Sequence, residues 1–335
     1  MMNAERWHLI EAFKKAGHCV VDVEKDNLHK YKLQNFIKAL KEDFGLIIFE
    51  EMSWAIKHKF KIFFKDAHKI NIPKATFISD YWIYTRSFKK MFKKNDIKTL
   101  FTCHESSYRF IGKHFSDLIE RIIWVPLTID LKQFDFPKQE KEYDFLLSGA
   151  LTNITPFRGR LIDLMMKQKK YKVYHLDHPG QWRRKENRGI YAAEYYKLLA
   201  KSYFCLATTG IYNVSARKYW EISAAGSTIF GNESGHPEHF LIKNNTVYVN
   251  DAMSDKEILK IVDEAYNNKK EWQNRAKEAQ KLVKQYVSTD ATVKRIEEWV
   301  ERCALPLAKP ESRITWAKNQ MNKFIFYKLL KKYKL

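Results

Sequence analysis

The sequence has no apolar run approaching the roughly 20 residues that a membrane-crossing helix needs. The first stretch, Met1 to Lys15, is polar and amphipathic and has no signal-peptide core. A cytoplasmic protein is therefore expected, with contact to the inner face of a membrane left open. Cysteine is scarce. Cys19, Cys103, Cys205 and Cys303 are scattered and form no CxxC pair, which suits small buried hydrophobes in a reducing compartment better than a disulfide framework. Acid is scarce too: 39 Asp and Glu face 60 Lys and Arg, a formal charge of +21. That balance points to an acidic partner, namely nucleic acid, anionic lipid or a polyphosphate substrate, and says nothing about fold. No helix-turn-helix, zinc-finger or RNP pattern is present and the cations are distributed, so nucleic acid stays a second choice. There is no internal repeat beyond two similar halves, and no low-complexity segment.

What is there is enough to build two cores. At 335 residues with 45% hydrophobic and 15% aromatic content, two domains are the default. Residues 5 to 16 have helical spacing and end at Gly17, and residues 18 to 23 read as a strand. A helix at 33–42, an apolar strand at 45–50, a helix at 54–69 and a strand at 75–80 follow. Next come a helix at 85–93, strand 99–103, helix 106–114 and strand 121–125. Strands alternating with helical segments imply βαβ units and a parallel sheet. This domain is unusual in opening on a helix.

Residues 127–142, with Asp130 and Pro137, read as a linker. Tyr143-Asp144-Phe145-Leu146-Leu147-Ser148-Gly149 opens a second α/β set. A loop with Asn153, Pro156, Arg158 and Arg160 leads to a helix at 160–168, then come strand 171–176, helix 192–201 and strand 203–207. The stretch Arg217-Lys218-Tyr219-Trp220-Glu221-Ile222-Ser223-Ala224-Ala225-Gly226 reads as a short helix broken at glycine before an apolar strand. A strand at 246–249 and helices at 254–268, 269–287 and 291–303 complete it. The division expected is 1–135, 136–303 and a tail, 304–335. That tail carries Ile314, Trp316, Phe324, Phe326 and Leu330 among lysines, with no acid beyond Glu311. It suits either a basic amphipathic helix on anionic lipid or a helix packed on a domain.

Taken together, the opening of the second domain, the arginine-bearing loop after it, the string 217–226 and Val125-Pro126-Leu127-Thr128-Ile129-Asp130 resemble group 1 glycosyltransferases of the GT-B fold, in the branch of the spore-maturation-type proteins. The resemblance implies two Rossmann-like doubly wound domains facing a cleft. It implies transfer of a sugar, hexosyl or related, from a nucleotide-sugar to a glycan or lipid-linked acceptor in surface polysaccharide or glycoconjugate synthesis. Such a transfer builds charge on the leaving diphosphate, which fixed cations stabilise. The resemblance assigns that part to Arg217 or Lys218, together with Arg158. It gives Glu221 the ribose hydroxyls, and it places Gly149, His175 and Gly226 in the donor site. Two departures stand out. Asn213 occupies the position, eight residues before Glu221, where many members carry an acid, and the glycine-rich turn of the first domain is missing. A GT-B-like protein without activity is therefore an alternative.

For an acceptor base, the strand ends of the first domain offer Asp80 first and His104 second. Asp80 serves equally as a helix N-cap. Two His-x-x-His pairs, His175/His178 and His236/His239, lack the third ligand that zinc requires. No metal or other cofactor is expected, the nucleotide-sugar being a co-substrate.

Overall fold

A computed structural model describes residues 2–21, 30–40, 44–49, 66–78, 85–104, 107–176, 188–211, 216–232 and 241–303. Asp80, Asn213, His178, His236, His239 and the tail 304–335 lie outside these residues, as does most of the helix expected at 54–69. The chain divides into two compact units. One joins Met1–Val20 to Leu127–Val293, and the other joins Val21–Pro126 to the residues from Lys294 onward. The N-terminal helix is thus grouped with the residues of the second sheet.

The smaller sheet holds β1 (Ile47–Phe49), β2 (Lys74–Ile78), β3 (Thr99–Thr102) and β4 (Arg121–Trp124), in that order and all parallel. Within this unit are α2 (Leu33–Leu40), α3 (Thr85–Asn95) and α4 (Ser107–Phe115). Phe88, Met91, Phe92 and Asn95 recur at helical spacing and are all buried on α3. Full burial of each large apolar side chain there contributes about 1.5–3 kcal/mol, enough to hold the helix whatever its outer face carries. The strand expected at 18–23 does not form over residues 18–21, and Cys19 is exposed.

The larger sheet holds β5 (Tyr143–Ser148), β6 (Val173–Leu176), β7 (Ser202–Ala207), β8 (Thr228–Gly231) and β9 (Thr246–Tyr248), again all parallel. Their spatial order is β6-β5-β7-β8-β9. The chain steps from β5 to one side and then returns to β7 on the other. The order therefore reverses between β5 and β7, and in open α/β sheets ligands bind outside the carboxyl ends of strands at such a point. Phe145, Leu147, Phe204, Leu206 and Phe230 form the core of this sheet. The helices are α5 (Pro156–Met166), α6 (Arg188–Ala200), α7 (Lys218–Ala224), α8 (Asp255–Asn267) and α9 (Lys269–Tyr286), while α10 (Thr289–Cys303) starts in this unit and belongs to the other from Lys294 onward.

Helix α5 begins four residues earlier than its apolar pattern indicates. Pro156 takes a first-turn position, where its missing N–H costs nothing and its fixed φ suits the helix. Arg158 and Arg160 are therefore helical and not in a loop. Helix α1 (Met2–Lys15) is tied to this unit through His8, whose Nδ1 lies 3.0 Å from Asp130, and through Lys15, 2.7 Å from Asp290.

Candidate functional site

The carboxyl end of β5 is built around Gly149. Its φ is +120°, a conformation that other residues rarely adopt. A Cβ there would lie 2.8 Å from Lys218 Nζ and 3.0 Å from Arg158 Nη1. Glycine is what lets two cationic side chains close on the strand end from α5 and α7.

Arg158 is buried, and its hydrogen bonds go to neutral oxygens. Nε donates to Thr208 Oγ1 at 3.1 Å, Nη1 to the Ala150 carbonyl at 2.9 Å and Nη2 to the Thr208 carbonyl at 3.2 Å. These contacts bridge the ends of β5 and β7, the point where the strand order reverses. Lys218 Nζ donates to the Ser148 carbonyl and, at 3.0 Å, to Ser148 Oγ. A guanidinium has five N–H donors and an ammonium three. Among the described residues, two donors of Arg158 and one of Lys218 therefore have no acceptor.

Burial pushes the Lys218 ammonium down to about 7, helped by the Arg158 charge and opposed by Glu221 and Cys205. Burial also lowers Arg158 from its ordinary value. Arg158 and the ammonium form of Lys218, adjacent in carbonyl-lined surroundings, make a positive site suited to an anion with several oxygens.

Glu221 stands one turn beyond Lys218 on α7, and its Oε1 accepts from Tyr196 Oη at 3.3 Å. Tyr196, on α6, packs its ring 4.6 Å from that of Phe134. Arg217 immediately precedes α7, half-buried, and its charge is felt by His8 on α1. His175 lies one residue before the end of β6, opposite Leu147 of β5. The loop after β7 is fixed to β8 through Asn232, which accepts from Thr209 N at 2.9 Å and donates to Thr209 Oγ1 at 2.8 Å. Gly231 lets the two strands meet there: a Cβ would stand 1.7 Å from the Ala207 carbonyl oxygen.

The structure thus brings Gly149, Arg158, Lys218 and Glu221 together, with Arg217 next in sequence. It does not bring Gly226 with them. Gly226 N bonds to Ser223 O at 3.0 Å and Ser227 N to Ile222 O at 3.1 Å, with Gly226 at φ +70°. That is the Schellman pattern that ends a helix. Gly226 therefore terminates α7 before the amino end of β8, away from the strand ends that carry the cations. His104 belongs to the other unit, buried just past β3, where its N–H donates to Thr102 Oγ1 at 3.2 Å. Ser148, Thr208 and Tyr196 complete the cation site and were not singled out in the sequence. Their signal is position alone: Ser148 ends one apolar strand and Thr208 follows another. Among the described residues no group of three or more His, Cys, Asp or Glu could hold a metal ion, and no helix is long and apolar enough to cross a membrane.

Residues 152–298 match a family described as glycosyl transferase-like. No curated protein sequence matches the chain significantly. In fold, the chain is similar to sucrose-phosphate synthase from Thermosynechococcus elongatus, with 12% identity, a TM-score of 0.55, and coverage of 91% of this chain and 94% of that one. It is also similar to the Anabaena protein HepE in complex with UDP, with 10% identity, a TM-score of 0.56, and coverage of 80% and 81%. Against a GtfA/B complex the identity is 13%, the TM-score 0.49 and the share of this chain 81%, and this chain spans 59% of that longer one. The chain therefore has the α/β architecture of GT-B glycosyltransferases, with a glycosyl transferase-like region over residues 152–298 that contains Arg158, Lys218 and Glu221.

Proposed function

We propose that the protein transfers a glycosyl group from a nucleoside-diphosphate sugar to a glycan or lipid-linked acceptor, without a bound metal. The observation that carries this reading is the pair of cations, Arg158 and Lys218, whose Nη1 and Nζ both lie beside Gly149 at the strand-order reversal and which keep donors without acceptors among the described residues. A diphosphate is the ligand that uses them. Arg158 offers a fork to two oxygens and Lys218 a point charge, while Gly149 allows close approach of the backbone.

As the sugar's anomeric carbon leaves the diphosphate oxygen, charge grows on that oxygen. Cations already desolvated and fixed stabilise this charge more than they stabilise the ground state. Glu221, held by Tyr196, accepts hydrogen bonds from the ribose hydroxyls, Arg217 reinforces the phosphate field, and His175 stands toward the base. Asp80 or His104 takes the proton of the acceptor hydroxyl. The UDP bound to the similarly folded HepE supports the choice of a nucleotide donor. Synthesis of a surface glycan on the inner side of a membrane, with the basic tail 311–335 on anionic lipid, fits the charge of +21.

The test is a thermal-shift panel with UDP, GDP, ADP and CMP on the wild type, Glu221→Ala and Lys218→Ala. At least one diphosphate raises Tm in the wild type, and both substitutions reduce that rise. A panel with no shift for any nucleotide would sink the donor-site reading.

A further inference from the structure

The face of α3 opposite its core residues is a stripe of cations, in the unit that does not contain Arg158 and Lys218. Arg86, Lys89, Lys90, Lys93 and Lys94 are all exposed. They recur at i, i+3, i+4, i+7 and i+8, so they share one side of a helix about 15 Å long. The helix contains no Asp or Glu, and among the described residues no carboxylate pairs with any of the five. The contrast is Lys98, just past the helix, which is paired with Glu120 at 3.0 Å.

Three of the i, i+4 relations here, 86 with 90, 89 with 93 and 90 with 94, are like-charge contacts that oppose the helix. Arg86, in the first turn, also faces the positive end of the helix dipole. Burial of Phe88, Met91 and Phe92 overrides this. The outer face therefore repels itself until an array of anions meets it.

We propose that this face of α3 is a contact surface for an anionic lipid bilayer. Every apolar side chain of the helix is committed to the core, so the helix does not insert and the contact is electrostatic at headgroup level. A plane of lipid phosphates meets all five cations of a straight stripe together. Clusters of four to eight cations on one helix face are the pattern that reads such surfaces. The exposed positions include no aromatic ring for stacking bases, which disfavours single-stranded nucleic acid. The contact is screened by salt.

The experiment is co-sedimentation of the full chain with phosphatidylcholine vesicles, with and without phosphatidylglycerol, comparing the wild type with K90Q/K94Q. Each cation near the surface contributes about fivefold in partitioning, so the double variant falls about 25-fold on anionic vesicles. Contributions multiply, so the loss shows whether or not the basic tail also binds. K277Q/K281Q on α9 is the charge-matched control and is expected to change little. The K90Q/K94Q variant relieves like-charge contacts, so its Tm stays at or above that of the wild type. A loss no greater than the control's overturns the proposal. So does a loss of duplex-DNA binding with vesicle binding intact.

Discussion

Lys218 makes the nucleotide reading measurable as a proton count. Its ammonium is held at about 7 in the free protein, chiefly by burial and next by the Arg158 charge. It is therefore about half protonated at pH 7 and about one-tenth protonated at pH 8. A phosphate charge at about 4 Å, in surroundings of effective dielectric about 20, favours the ammonium by about 4 kcal/mol. That is about three pKa units, enough to keep Lys218 charged at pH 8 when the site is filled. Binding of a nucleoside diphosphate should then take up about 0.9 proton at pH 8 and about 0.5 at pH 7. The second ionisation of a phosphoryl group, near 6, is complete at pH 8 and does not confuse the count. Titration calorimetry at pH 8 in two buffers of different ionisation enthalpy reads the number directly. Affinity should weaken about fivefold from pH 7 to pH 8, and Lys218→Met should abolish the uptake. Tight binding without proton uptake, or unchanged uptake in Lys218→Met, would refute the placement of a diphosphate at this ammonium.

Three further perturbations test the same unit. Gly149→Ala puts a side chain at φ +120° against Lys218 and Arg158, and should cost about 1–3 kcal/mol in unfolding and remove the nucleotide-induced Tm shift. Tyr196→Phe removes the donor to Glu221 and should weaken UDP binding about two- to tenfold. It should leave the affinity of a 2′,3′-dideoxy nucleotide unchanged, and equal losses for both would deny Glu221 the ribose. Lys141 is lowered to about 8 by burial, against an ordinary 10.5. Between those values the unfolded chain binds a proton that the folded one does not, so stability rises with pH through that window. The wild type should gain about 1–2 kcal/mol over Lys141→Met between pH 7.5 and pH 9.5 in equilibrium unfolding. A difference that stays flat would show that Lys141 is charged throughout.

Much of the framework was legible because of where the strands sit. Phe145 to Leu147 and Phe204 to Ala207 are covered on both faces, so each reads as an unbroken apolar run between turn or helical residues. Boundaries failed where a local rule competed with periodicity. The apolar pattern of α5 hides its first turn, which Pro156 supplies, and that turn carries Arg158. Residues 18–21 have strand-like composition but form no strand, His18 N instead bonding back to the Phe13 carbonyl at the end of α1, and propensity alone does not make a strand. For the site, cation and carboxylate identities were readable in advance and their acceptors were not. A backbone carbonyl such as that of Ser148 or Thr208 has no sequence identity, so only the fold shows that it faces a cation. Gly226 shows the same limit, since a glycine beside a charged helix suits ligand approach and helix termination equally until its hydrogen bonds are seen.

The same sheet holds a half-buried lysine with an enclosed ammonium at each end, and counting donors separates their tasks. At the amino ends of the strands, Lys141 Nζ donates to the Ser202 carbonyl at 2.7 Å, to Ser227 Oγ at 2.9 Å and to the Gly226 carbonyl at 3.3 Å. Three acceptors satisfy three N–H groups, so Lys141 is complete without a ligand and stitches β7 to the turn before β8. At the carboxyl ends, Lys218 reaches one carbonyl and one hydroxyl, both of Ser148, with Arg158 beside it likewise short of acceptors among the described residues. Leaving buried charged donors unmet is costly, and a fold that needed only a stitch could have used a smaller neutral donor there. Burial depresses both ammonium groups, so a lowered pKa alone does not tell a structural lysine from a binding one. The unused donors, gathered where the strand order reverses, do.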